Sequence, residues 1–205
     1  NSFQLFKGAK IDATKDANIR WAAETIVKWN KAGYFEPNAS GVKTDDAVNE
    51  FQAGKAAMMI GGSWLDGDMQ TKITSFKYGK FVFPGTLSVG SAGNLFVIPS
   101  KSKNKDLAAE FINMILSKKY QNFLGNAGGL PLFADPEAIA NPAAILTAAP
   151  FGQIVKKNAL AMYPDWPVNG YYPVLLAAGT QLISDGNVDA YMKTTGEFYN
   201  SGRPQ

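Results

Sequence analysis

Cysteine and histidine are both absent from the 205-residue chain. Without thiols there is no disulfide framework and no thiolate nucleophile. Without imidazole there is no triad or dyad that uses it as base, and zinc sites built on Cys or His are excluded with it. Enzymology would have to run on carboxylates, lysines or tyrosines, and neither a metal nor a cofactor is expected. Arginine is scarce, with only Arg20 and Arg203. The 20 basic residues nearly balance 17 acidic ones, for a formal charge of +3. The densest basic cluster, "KSKNK" at 101–105, reads as a solvated loop ahead of a helix. Phosphate tracking needs a concentrated stripe that includes arginine, so no nucleic-acid partner is expected. No run of 18 apolar residues occurs, the length a membrane-spanning helix requires, and no charged-then-apolar leader opens the sequence. The chain starts at "NSFQLFKGAK" without methionine, which reads as a mature product, a trimmed chain or a fragment.

What is present is the makings of a core: 46% of the residues are hydrophobic, a globular composition for a chain of this length. In "DANIRWAAETIVKWNKAGYF", Ile19, Ala22, Ala23, Ile26 and Trp29 recur at helical spacing, with Arg20, Glu24 and Lys28 opposite and Gly33 as the stop. Trp21 and Trp29 are expected in the core or at its edge. A shorter helix follows Thr44, with Asp45 and Asp46 in its first turn and Ala47, Val48 and Phe51 inward. "AAMMI" at 56–60, "KFVFP" at 80–84 and "NLFVIP" at 94–99 are short apolar runs that read as strands covered on both faces. A helix follows "GGS" from Trp64, and another runs over 106–117 with Leu107, Phe111, Met114 and Ile115 on one face. A short helix ends in "LGNAGGLP". From residue 135 onward only helices and loops are expected: "PEAIA", "PAAILTA", "FGQIVKKNALA", the turn "MYPDWPVNGYYP", "VLLAAGTQLIS" and "VDAYMKTTGEFYN". The pattern is that of an α/β domain, helix-rich with a short central sheet.

Several motifs fail on inspection. "DGNVD" at 185–189 imitates an EF-hand loop, but its sixth position is Ala190 and its twelfth Gly196, so the sharp turn and the bidentate ligand are missing. Gly186 as a helix C-cap and Asn187 as the next N-cap explain the residues better. "GNAGGLP" and "GSAGN" lack phosphate-loop spacing. "NAS" at 38–40 is a glycosylation sequon of a kind common by chance. A glycosidase or lyase pair could be drawn from Glu36, Asp66, Asp68 and Asp165, but spacing alone does not split their pKa values.

The aromatics carry more. Trp64, Trp166, Tyr171 and Tyr172 sit at corners rich in Gly and Pro, where a large ring is hard to bury completely. Flat rings beside small polar groups suit sugars, whose C–H faces stack while their hydroxyls take hydrogen bonds. Exposed rings also serve protein interfaces, so an adhesin-like module remains a second reading.

"TDDAVNEFQAGKAAMMIGGSW" resembles the extracellular solute-binding proteins of ABC importers, in the sugar-binding group similar to maltose-binding protein. "WAAETIVKWNKAGYFEPNA", "GSAGNLFVIPSKSKNKDLAAEFINMILSKKYQNF", "GGLP", "YPDWPVNGYYP" and "DGNVDAYMKTTGEF" resemble further stretches of those proteins. Members are longer, and the part without a counterpart here is the N-terminal half. The resemblance implies a periplasmic-binding-protein-like type II lobe, a fragment lacking most of the first lobe. Residues 1–98 would form the α/β core of the second lobe, 99–129 a helical segment that packs on the first lobe, and 130–205 the helical remainder of the second. It implies capture of an extracytoplasmic mono- or oligosaccharide, delivered to a membrane permease without covalent chemistry, by a periplasmic or lipid-anchored protein. Trp64 would stack on the solute with Ser63 beside it, and Gly93, Asn94, Asp165, Trp166 and Tyr171 or Tyr172 would be the other ligand-binding residues.

Overall fold

The computed structural model describes residues 11–82, 85, 88–90, 96–132, 136–157, 159–161, 163 and 165–202. Helices dominate: α1 (Ala17–Lys31), α2 (Thr44–Gln52), α3 (Asp66–Lys72), α4 (Lys105–Ile115), α5 (Lys118–Asn126), α6 (Pro142–Lys156), α7 (Tyr171–Asp185) and α8 (Val188–Gly202). The sheet among the described residues is one two-stranded ladder, β1 (Ser88–Val89) with β2 (Leu160–Ala161). The chain divides into two compact units. One comprises Asn1–Thr44, Val89–Ser91 and Ala161–Gln205, the other Asp45–Ser88 and Ala92–Leu160.

In the first unit α1, α7 and α8 pack on one another. The Asp16 carboxylate accepts from the backbone N–H groups of Asn18 and Ile19 at 2.9 and 3.0 Å, an N-cap worth about 1 kcal/mol. The stripe buried along α1 is Ala23 and Val27, set against Leu182 of α7 with Ile26, Val188 and Tyr191 around them. Trp21 falls on the opposite side and is 67% exposed, and Trp29 lies at the margin with its ring edge-on to Phe35 at 6.5 Å. The expectation of a place in the core or at its edge is thereby corrected for Trp21: two residues along a helix is a 200° rotation, which takes position 21 away from position 23.

The α7–α8 turn is built as the caps dictate. Gly186 takes the left-handed conformation, φ 71°, at the end of α7, and Asn187 Oδ1 accepts from the Ala190 N–H at 3.0 Å to start α8. Asp189, a liganding position in the EF-hand reading, accepts instead from Arg20 at 2.7 Å.

A second cluster, Ala13, Val168, Tyr171 and Tyr199, joins the segment before α1 to α7 and α8. Here Gly196 of α8 admits the backbone of residues 13 and 14, since a β-carbon on it would lie 2.5 Å from Thr14 N and 2.8 Å from Ala13 C. One side chain, Asn200, fastens the same segment with two hydrogen bonds. Asn200 Oδ1 accepts from the Ala13 N–H at 3.1 Å, and its Nδ2 donates to Asp12 at 2.8 Å.

The second unit has its own core, Val48 of α2 against Met69 and Ile73 of the α3 region, with Phe51, Met59, Leu65, Phe76 and Tyr78 packed around it. The Phe51 ring meets Phe76 and Tyr78 edge-on at 6.1 and 6.5 Å. Asp66, at the start of α3, is buried and paired with Lys80. Farther along, three amides hold the segment after α5. Gln121 donates to Ile115 C=O and accepts from the Leu132 N–H. Asn126 donates to Ala138 C=O and accepts from the Ala140 N–H. Asn141 donates to Asn126 C=O.

Among the described residues, none of the three expected apolar runs is paired as a strand. Residues 56–60 are extended but unpaired, with Met58 and Ile60 each 76% exposed. Residues 80–82 and 96–99 are likewise outside any ladder, Phe81, Phe96 and Val97 lie exposed, and 83–84 and 94–95 lie outside the described residues. A strand is completed by hydrogen bonds to a neighbouring strand, and an apolar run records only that its side chains can be covered. The observed ladder falls where a loop and a helix are expected, in "LSVG" and "NALA". The two helices expected at 142–148 and 151–161 are one, Pro142–Lys156, with Pro150 inside it. A proline removes a single helical hydrogen bond, and the apolar flanks on either side continue the element. On α4, Leu107, Phe111 and Met114 stand exposed.

Candidate functional site

In the first unit the turn leading into α7 forms an open pocket of about 400 Å³, lined by Asp165, Trp166, Val168, Asn169, Gly170, Tyr171, Tyr172 and Pro173. The turn is knotted by short backbone bonds. Trp166 N–H donates to Tyr163 C=O at 3.3 Å and Tyr171 N–H to Val168 C=O at 3.1 Å, and Gly170 in the left-handed region, φ 77°, delivers the chain to the helix. The Tyr163 and Trp166 rings lie 5.7 Å apart and tilted. Four of the sequence candidates are thus brought together: Asp165, Trp166, Tyr171 and Tyr172. Asn169 is a fifth polar contributor that sequence reading did not name. It stands exposed in the "VNGYY" turn, directly before the left-handed Gly170.

The two adjacent tyrosines differ. Tyr172 is 61% exposed, whereas Tyr171 is 4% exposed, stacked on Phe198 at 6.1 Å and tilted against Tyr199 at 5.5 Å. Burial drives the Tyr171 hydroxyl up to about 12, helped by Tyr191 and Tyr199 and opposed by its hydrogen bond with Thr195. The unfolded chain therefore loses this proton near 10 while the folded chain keeps it, so the folded state holds more protons between the two values and stability falls with rising pH there. The contribution is complete below pH 10 and is lost as pH passes through about 12. In thermal melts, the advantage of the wild type over Tyr171→Phe should narrow steadily across that window. A constant difference would mean that the hydroxyl does not titrate where its burial places it.

In the second unit, Ser63 and Trp64 form a 3₁₀ turn, Ser63–Leu65, closed by the Leu65 N–H donating to Gly62 C=O at 3.1 Å. Trp64 is 73% exposed and Ser63 half-buried. Gly93 and Asn94 lie outside the described residues. Of the carboxylates weighed for hydrolysis, Asp66 is engaged by Lys80, and Asp68 accepts from Gln52 at 2.9 Å with Lys72 at 3.0 Å. The Gln52 and Lys72 hydrogen bonds hold the Asp68 carboxyl below its usual value. Asp12 is lowered to about 2 by Thr14 and Asn200, and Asp185 moves in the same direction through Gln181 and the Asn187 N–H. A general acid for glycoside hydrolysis needs displacement the other way. Among the described residues no three acidic side chains converge as a metal site, and no helix is long and apolar enough to cross a membrane.

A search of curated proteins returned no match. A family model for bacterial extracellular solute-binding proteins matches residues 4–122, more than half of the chain. The match takes in the Thr44–Trp64 stretch and helices α1 to α4, and stops before "GGLP" and the turn that carries the pocket. On this match the chain belongs to the bacterial extracellular solute-binding protein family.

Proposed function

We propose that this chain is the substrate-binding component of an ABC importer, that its solute is a mono- or oligosaccharide, and that it hands the sugar to a membrane permease from the periplasm or the cell surface. The observation that carries the carbohydrate reading is the pocket on the 165–173 turn, where the exposed rings of Trp166 and Tyr172 stand beside the carboxylate of Asp165 and the amide of Asn169. Rings supply stacking for the C–H faces of a sugar, and the carboxylate and amide supply directional acceptors and donors for its hydroxyls. Trp64 with Ser63 offers a second ring-and-hydroxyl pair. Gly93 and Asn94 belong to the same proposed set by their place in sequence. Binding of this kind breaks no bond in the solute.

Isothermal titration calorimetry against glucose, maltose, cellobiose, xylobiose and raffinose tests the reading. Saturable heat with at least one of them is expected, and hydrolysis of aryl-glycosides would reverse the assignment. Trp64→Ala should weaken that sugar at least tenfold, about 1.4 kcal/mol. Because the ring is mostly exposed, the ligand-free melting temperature should fall by only a few degrees. A collapse of the ligand-free fold would instead assign Trp64 to packing.

A further inference from the structure

We infer that Gly62 is a positioning residue: its missing side chain is the space in which the Trp64 ring is held. The backbone of Gly62 is ordinary extended chain, φ −104° and ψ 166°, which any residue adopts without strain. Conformational freedom is therefore not why glycine stands there. The three atoms nearest to a β-carbon built on Gly62 are Cη2, Cζ3 and Cε3 of Trp64, all closer than any real β-carbon contact, so the two cannot coexist. The ring folds back along the chain with its Cε3–Cζ3–Cη2 edge against Gly62, and 73% of the residue is left to solvent. An exposed ring with few neighbours would otherwise sample several rotamers, each costing binding free energy to immobilise. Contact with the Gly62 backbone removes part of that freedom before any ligand arrives.

Gly61 provides the contrast. A β-carbon there would meet Leu65 Cδ1 at 2.9 Å and Met59 Cε at 3.1 Å, the far ends of two side chains packed on the second unit's core, and not the tryptophan ring. The two adjacent glycines thus have different roles, and only the second bears on the tryptophan.

The ligand part of the inference rests on the proposed reading of Trp64 as a stacking platform, so the test separates the two. The full chain is labelled with 5-fluorotryptophan, which gives one ¹⁹F resonance for each of its 4 tryptophans, and the Trp64 signal is identified by its loss in Trp64→Phe. Gly62→Ala and Gly62→Ser should shift or broaden the Trp64 resonance without ligand while leaving the other resonances in place, and Gly61→Ala should leave all of them unmoved. Calorimetry with whichever of the five sugars binds the wild type should show about tenfold weakening in both Gly62 variants, the loss expected when a supporting contact of a binding group is removed, and wild-type affinity in Gly61→Ala. An unmoved Trp64 signal in the Gly62 variants overturns the inference, as does a shifted signal with unchanged affinity while Trp64→Ala binds poorly. Wild-type affinity in Trp64→Ala overturns the platform reading itself and the ligand role of Gly62 with it, a result distinguished by the ¹⁹F shift, which needs no sugar.

Discussion

Replacement of Gly196 by alanine should lower the stability of the chain by about 2 kcal/mol and its melting temperature by about 4–8 °C. Two effects oppose each other at this position. Alanine is the better helix former by up to about 1 kcal/mol, and α8 would gain that. Against it, the new methyl would sit 2.5 Å from Thr14 N and 2.6 Å from Thr14 Cα. These are backbone atoms, which cannot rotate aside, so overpacking of about 1–3 kcal/mol or more dominates. A second readout locates the damage. Displacement of residues 13 and 14 from α8 would pull Asp12 off Asn200, which with the local Thr14 contact lowers its carboxyl to about 2. The Asp12 titration, followed by carboxyl NMR, should therefore move up toward its ordinary value of 3.8. A Gly196→Ala protein as stable as wild type, with Asp12 unmoved, would show that α8 and the segment before α1 are not in this close contact.

The larger loss is expected at Lys80. Asp66 and Lys80 form the one ion pair among the described residues with both side chains mostly buried, at 6% and 22% exposure. Lys80→Met keeps the aliphatic stem and removes the ammonium, leaving the Asp66 carboxylate in the core of the second unit. Stripping one partner from a buried pair costs about 3–5 kcal/mol, and the residual exposure of Lys80 puts the expected value near the lower figure, about 3 kcal/mol. The charge of Asp66 also helps burial raise the Tyr78 hydroxyl above its usual value, so the effect of the carboxylate reaches the aromatic cluster around Phe51. Urea unfolding of the single variant and of Asp66→Asn/Lys80→Met distinguishes the causes. The double variant should recover most of the loss, because the buried charge that has lost its lysine is gone. Equal losses in both would assign the effect to packing of the lysine stem.

The helices were legible because their signals are local. Ile19, Ala22, Ala23 and Ile26 at helical spacing, Gly186 followed by Asn187, and Val48 and Phe51 three apart each specify an element from residues within a few positions. The strands were not legible for the complementary reason. "AAMMI" is as apolar as a buried strand, yet Met58 and Ile60 face solvent, because pairing depends on a partner segment that the run itself does not encode. The site was half legible. Trp166 and Tyr172 could be singled out because large rings in Gly/Pro turns resist burial. That Tyr171 would turn inward onto Phe198 and Tyr199 depends on α8, which lies far along the chain. The role of Gly62 was present in "GGSW" only as a question, since the ring that needs the space is seen only when the turn is built.

The three amides that fasten the segment after α5 have a consequence for the surroundings in which such a protein works. The bonds that Gln121, Asn126 and Asn141 make to Ile115, Leu132, Ala138, Ala140 and Asn126 run between uncharged donors and acceptors. Ions screen interactions between charges and leave these bonds almost untouched, and none of the three side chains gains or loses a proton in ordinary acid or alkali. Outside the cytoplasm, where osmolarity and acidity follow the medium, these amide bonds should hold in brine and in dilute acid alike, while the Arg20–Asp189 contact and its surface counterparts weaken.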